Sequence, residues 1–410
     1  PTGLARRLAR LDHRLVINVL RLFEVCVFVR DRPKQKSIGC HQAIPMTNTP
    51  NSPKVLIATG GGHITEIEMI KGLRQAGINI HAVLFSDSPN HQILQDAGVP
   101  TRPLDLRSNV DFPNALKIRR WIRDEHFDIV HGLANWEVSN FIWASYGLPN
   151  KVIAYRGAVG HVSRWDPSCY LKWLNPRIDK IICVSKAVER DLTESGVNSA
   201  KLITIYKGHD LSWYANLDRK AARDEVEKEF GIPSDAILVG MAANMRRVKG
   251  ADLLLKALMA LSENVHGLFI GEVRDPLVEE LAADPRLSGR VHFTGFRANA
   301  PYLIGALDIN VAPSRGREGL TKTVIEGMAR GVPAVVARAG GLPEMVDDGV
   351  SGYTFAIDDL ERLVKHLKTL ISNPELQWKM GERGKNLAKN RFSVEQTIER
   401  TAELYYSFCK

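Results

Sequence analysis

Residues 314–355 read SRGREGLTKTVIEGMARGVPAVVARAGGLPEMVDDGVSGYTF, and this stretch decides the architecture of the chain. It passes from a glycine-flanked loop into a helical segment, then into the apolar run 333–337, which predicts a buried strand. Two carboxylates, Glu318 in the loop and Glu326 about two turns into the helix, are separated by seven residues. The loop-to-helix turn aims the amides of Leu320–Thr323 at whatever lies over the helix start. Free N–H groups and the helix dipole both favour an anion there. A phosphate at those amides, with a diol-binding carboxylate one or two turns deeper, is the layout that a nucleotide-activated sugar requires.

Outward from this stretch, short apolar runs alternate with helical periodicity. Strands are expected at 54–59, 78–85, 128–130, 152–155, 180–184 and 202–205. After 213–224 the alternation restarts with 237–242, 266–270, 290–294, 308–311 and 333–337. Such alternation implies parallel, doubly wound sheets, and two series imply two Rossmann-like domains. At 410 residues the chain also exceeds what one core usually spans.

The Glu318/Glu326 pair is followed by Gly340, Gly341, Pro343, Glu344, Val346, Gly349 and Gly352. Together these resemble the family-4 retaining glycosyltransferases of the GT-B fold, with a likeness running over roughly residues 53–400. The resemblance implies an α/β fold of two Rossmann-like doubly wound parallel-sheet domains facing a central cleft, with an N-terminal helical extension. The expected division is 1–52 basic amphipathic extension and linker, 53–215 acceptor domain, 216–392 donor domain, and 393–410 a helix crossing back to the first domain. The implied activity is retaining transfer from a nucleotide-diphosphate sugar, UDP-sugar favoured, to a glycan or lipid-linked acceptor in lipopolysaccharide, exopolysaccharide or other cell-envelope glycan synthesis. The nucleotide sugar is co-substrate, and neither cofactor nor metal is expected.

The same resemblance assigns site residues. Glu318 would hold the sugar hydroxyls at the reacting carbon and Glu326 the ribose diol, with the amides of Gly319, Leu320 and Thr321 at the diphosphate. In glycoside hydrolases, by contrast, a second carboxylate acts as nucleophile or base. Ala242–Gly250 carries the basic pair for the leaving group: Lys249, and Arg246 or its neighbour Arg247, since Asn244 stands at the usual Arg position. Positioned cations are what a departing diphosphate needs. The loop 294–297 would hold the base by backbone contacts around Phe296. Gly60-Gly61-Gly62 follows the first strand without dinucleotide-fingerprint spacing. There Gly61 and Gly62 would let backbone approach the donor or acceptor. His131 is expected at a strand end as a catalytic residue. Leu133 replaces the second histidine of the family pattern, leaving Asn135, Arg156 and His161 as candidates to support the donor sugar.

Charge is concentrated at the start. Residues 1–40 hold nine Lys/Arg against three acids, so +6 of the chain's +9 lies there, interleaved with leucines at helical spacing. The apolar run 15–29 is short for a span and contains Asn18, Arg21 and Glu24. An interfacial helix on an anionic membrane surface through residues 1–36 is expected, on the cytoplasmic face; packing on the protein is the alternative. The five scattered cysteines fit neither a disulfide framework nor zinc. No nucleic-acid recognition motif accompanies the basic charge. A same-fold sugar-nucleotide epimerase and a non-catalytic sugar-nucleotide-binding scaffold remain as competing readings.

Overall fold

The computed structural model describes residues 52–409 apart from Asn216 and Arg317. The basic segment 1–36, its linker, Cys26 and Cys40 lie outside the described residues. The rest forms two parallel sheets, each flanked by helices. The first is built from β1 (Lys54–Ala58), β2 (Asn79–Leu84), β3 (Thr101–Pro103), β4 (Ile129–Gly132), β5 (Lys151–Arg156), β6 (Lys180–Cys183) and β7 (Leu202–Thr204). The second contains β8 (Ile237–Ala242), β9 (Val265–Ile270), β10 (Val291–Phe293), β11 (Ile309–Ala312), β12 (Ala334–Ala337) and β13 (Gly352–Phe355). Both faces of each sheet are covered, which is why central strands such as Val55–Ala58 and Ala334–Ala337 read as unbroken apolar runs.

The spatial orders are β3-β2-β1-β4-β5-β6-β7 and β10-β9-β8-β11-β12-β13. Each order reverses beside its first strand, between β1 and β4 and between β8 and β11. A crevice opens outside the carboxyl ends of the strands at such a switch point. The glycine loop 60–62 leaves β1 at one crevice. The 244–250 turn after β8 and the 313–321 loop after β11 meet at the other.

The chain crosses between domains twice, and the crossings are bonded side by side. His209 N donates to Phe392 O at 2.8 Å and Val394 N to His209 O at 2.9 Å. A Cβ on Gly208 would lie 1.9 Å from Ser393 O, so only glycine lets the two segments run this close. The last helix, Val394–Tyr406, then packs on the helix Ile64–Gln75 of the first domain. Its Ala402, Leu404 and Tyr405 are buried in the same apolar cluster as Val55, Ile57 and Ile70. No helix among the described residues is long and apolar enough to cross a membrane.

Candidate active site

Two glycines seat the Glu318 loop. Gly340, at a φ of +53°, and Gly341 pass beneath Glu318–Gly319: a Cβ on either would meet Glu318 O at 2.1 Å or Gly319 O at 1.7 Å. Gly341 N donates to Glu318 O at 2.9 Å. From the side, Arg315 holds the loop, donating to both oxygens of Asp252 at 2.7 and 2.8 Å and to Asp358 at 2.7 Å. Burial alone would push Asp252 up, but the guanidinium fork of Arg315 and nearby Lys256 bring it below the ordinary carboxylate range. A charge in the apolar helix Ala251–Met259 was the one sequence clue to this brace, and sequence reasoning passed over it.

Glu318 is 8% exposed. Lys249 Nζ donates to its Oε1 at 2.6 Å, and Thr321 Oγ1 to its Oε2 at 3.1 Å. Lys249 is brought there by Gly250, at a φ of +72°, whose missing Cβ leaves room for Pro313 O. The helix Lys322–Ala329 starts at Thr321 without a side-chain cap. Thr321 N donates to Met345 Sδ, while the amides of Lys322 and Thr323 donate to no protein acceptor among the described residues. A cation, a carboxylate and open amides therefore converge at the β8/β11 crevice. That set can take a diphosphate and the hydroxyls of a sugar attached to it.

Glu326 is the fifth residue of its helix, in its second turn and less deep than the spacing suggested. It is 2% exposed, with Lys322 Nζ 3.2 Å away and Tyr214 OH donating at 3.4 Å. Tyr214 in turn meets His209 Nδ1 at 3.1 Å. Burial raises the Glu326 carboxyl above its ordinary 4.5, and burial holds His209 down to about 3. A carboxylic acid whose folded pKa is raised stabilises the fold below its unfolded pKa, and this is lost as pH rises through the folded value. We expect Glu326→Gln to match or exceed the wild type in thermal stability at neutral pH and to show no such gain near pH 4. Its affinity for a nucleotide diphosphate should fall by roughly 1–3 kcal/mol if the carboxylate binds the diol. Melts at the two pH values and isothermal calorimetry check both halves.

Other expected positions are more dispersed. Arg246 and Arg247 are both exposed at the mouth of the 244–250 turn, Arg247 lying 3.9 Å from Asp275. Phe296 is 74% exposed beyond the bridge between Gly271 and Gly295, which together with the Met245–Val273 bridge stacks three strand-end loops into a floor. Across the cleft, a Cβ on Gly61 would meet only open space, and the carbonyls of Gly61 and of Gly62, the latter at a φ of +67°, both accept from the side-chain amide of Asn90. Arg156 turns back into its own domain, donating to Gly160 O and lying 4.9 Å over Trp173. The next residue, Gly157, brings its carbonyl against Gly319 of the other domain.

His131 sits inside its strand rather than at the strand's end. It lies within β4 opposite Ile57, is 1% exposed, and turns its Nδ1 to Tyr405 OH of the last helix at 2.7 Å. Burial lowers it to about 3, which keeps the ring neutral. Sequence reasoning also missed Glu66. It accepts from Lys207 Nζ at 3.0 Å and from Thr59 Oγ1, which sets a paired charge beneath the glycine loop.

The family described as "Glycosyltransferase Family 4" matches residues 59–213, and that described as "Glycosyl transferases group 1" matches 222–387. The lipopolysaccharide core biosynthesis glycosyltransferase LpsE of Rhizobium meliloti is 26% identical over 297 residues, 71% of this chain and 79% of its own. The UDP-Gal:alpha-D-GlcNAc-diphosphoundecaprenol alpha-1,3-galactosyltransferase of Escherichia coli is 23% identical over 322 residues, 75% of this chain and 82% of its own. Two further curated relatives, at 30% and 29% identity, are spanned over only 49% and 62% of their lengths. Among solved structures, that of Anabaena Alr3699/HepE in complex with UDP superposes with a TM-score of 0.74 at 20% identity, covering 86% of this chain and all of that one.

Proposed function

This chain belongs to the family-4 glycosyltransferases of the GT-B fold, and from that premise we propose that it transfers a sugar, with retention, from a nucleotide-diphosphate donor to a lipid-linked or envelope glycan acceptor. The observation that carries the reading is the Lys249–Glu318 pair facing the uncapped start of the helix Lys322–Ala329. In the step, the bond from the anomeric carbon to the phosphate oxygen breaks and its electron pair leaves on the nucleotide diphosphate. Lys249, with Arg246 or Arg247, would take up that charge. The acceptor oxygen bonds to the anomeric carbon from the face the diphosphate leaves, and its proton passes to the departing phosphate. Glu318 would hold the sugar hydroxyls while positive charge develops beside them, and no metal is assigned a role.

A uridine donor is favoured by the names of the galactosyltransferase and the HepE complex, and an envelope acceptor by LpsE and the galactosyltransferase. The proposed working place is the cytoplasmic face of a membrane, where residues 1–36 with their excess of Lys/Arg would meet anionic lipid. One experiment has two arms. A panel of nucleotide sugars is screened by thermal shift, since specific binding stabilises the folded state. The stabilising donor is then turned over with a lipid-diphosphate acceptor on anionic vesicles, and the product anomer is read by NMR. No stabilisation by any nucleotide sugar overturns the donor reading, and an inverted anomer overturns retention. Vesicle association that survives deletion of residues 1–40 overturns the membrane role of that segment.

A further inference from the structure

Glu344 stands in the glycine–proline string of the second domain, yet its carboxylate is spent on the first. The helix Lys186–Glu194 of the first domain opens, as any helix does, with amides that have no partner inside it. Ser185 Oγ accepts from Val188 N, as an N-cap serine commonly does. The two earlier amides, Lys186 N and Ala187 N, donate instead to Glu344 Oε2 and Oε1, at 2.8 and 2.7 Å. Tyr206 OH, on the segment leading into the first interdomain crossing, also donates to Oε2 at 3.0 Å. The main chain of Glu344 is held separately, its carbonyl accepting from Arg391 Nη1 at 3.0 Å, just before the return crossing.

A carboxylate that takes two adjacent helix amides, one on each oxygen, fixes orientation as well as distance. It lies beside both crossings, so a small local displacement becomes a large one across the cleft. On the cleft side of this contact, Gly319 lies against Gly157 O, and Leu320 packs on the apolar clusters of both domains. We propose that Glu344 is a positioning residue that sets the angle between the two domains. It thereby brings the Glu318 loop against the glycine loop of the first domain without touching the donor itself. This inference rests on the transfer reaction proposed above.

The test compares Glu344→Ala with Glu344→Gln. The first removes the bridge. The second keeps the shape but turns an NH2 donor towards one of the two amides. Both should lower the turnover number by up to about 100-fold, the scale of a misplacement near 1 Å, with nucleotide-diphosphate affinity held within about 3-fold. Donor hydrolysis should rise relative to transfer, because an ill-set cleft admits water. Small-angle scattering should show a wider distribution of interdomain separations in both variants. Scattering curves identical to wild type, or turnover and nucleotide affinity falling together in the well-folded Gln variant, would overturn the proposal. The scattering readout needs no substrate, so it stands even if the wild type proves not to transfer sugar. A wild type that binds no nucleotide diphosphate would instead sink the function, leaving the angle measurement to decide Glu344.

Discussion

Glu318→Ala is expected to abolish sugar transfer while leaving nucleotide-diphosphate affinity nearly unchanged. Its Oε1 is engaged by Lys249 at 2.6 Å and its Oε2 by Thr321 at 3.1 Å, so the carboxylate is held in one orientation before any donor arrives. Removing a group so preorganised, at the place where charge develops on the sugar, costs about 100- to 1,000-fold or more. Nucleotide binding is spared for a separate reason. Without its carboxylate, the Lys249 ammonium has only a diphosphate to pair with, and that gain offsets the lost ordering of the loop. Product formation and calorimetric titration of the nucleotide diphosphate are the two measurements. Transfer within tenfold of wild type would remove Glu318 from the reaction.

Lys249→Ala is expected to lower turnover by about 100-fold or more. Two losses combine in it. The leaving diphosphate loses a cation, and Glu318, only 8% exposed, is left without its counter-ion. The same deletion should weaken the nucleotide diphosphate, which sets it apart from Glu318→Ala. A double-mutant cycle over the two residues should be strongly non-additive, since each variant already breaks the shared bond. The second cation is decided beside it. Arg246→Ala should resemble Lys249→Ala; if Arg247→Ala does so and Arg246→Ala does not, the leaving group is met one residue later in the turn. Full activity of Lys249→Ala would end the leaving-group assignment.

What could be read from sequence was whatever has a local signature. The central strands announce themselves because burial on both faces demands continuous apolar runs, as in Val55–Ala58. Thr101–Pro103 and Gly352–Phe355 gave no such run: both are short, lie at sheet edges, and carry polar or partly exposed residues. Glu318 and Lys249, expected to act at one place, do share a hydrogen bond, because each belongs to a glycine-marked turn at the end of a strand. His131 was read at a strand end, but β4 runs on through Gly132, and its partner Tyr405 lies 274 residues away. Lys207 and Glu66 are 141 residues apart, and nothing near either one marks the other. The role of Glu344 had no legible sign either, since the partners of its side chain are chiefly backbone amides, which every sequence possesses.

The last helix has a consequence for how the protein is made. Tyr405, Leu404 and Ala402 fill the same side of the first sheet as Val55 and Ile57, and the His131 ring shares a hydrogen bond with Tyr405. During vectorial synthesis those strands emerge early, but the residues that seal them follow about 350 positions later. Of the two domains, the one begun earlier on the ribosome is therefore completed after the other, and a nascent chain keeps that half of it open until the second domain has passed through the exit tunnel.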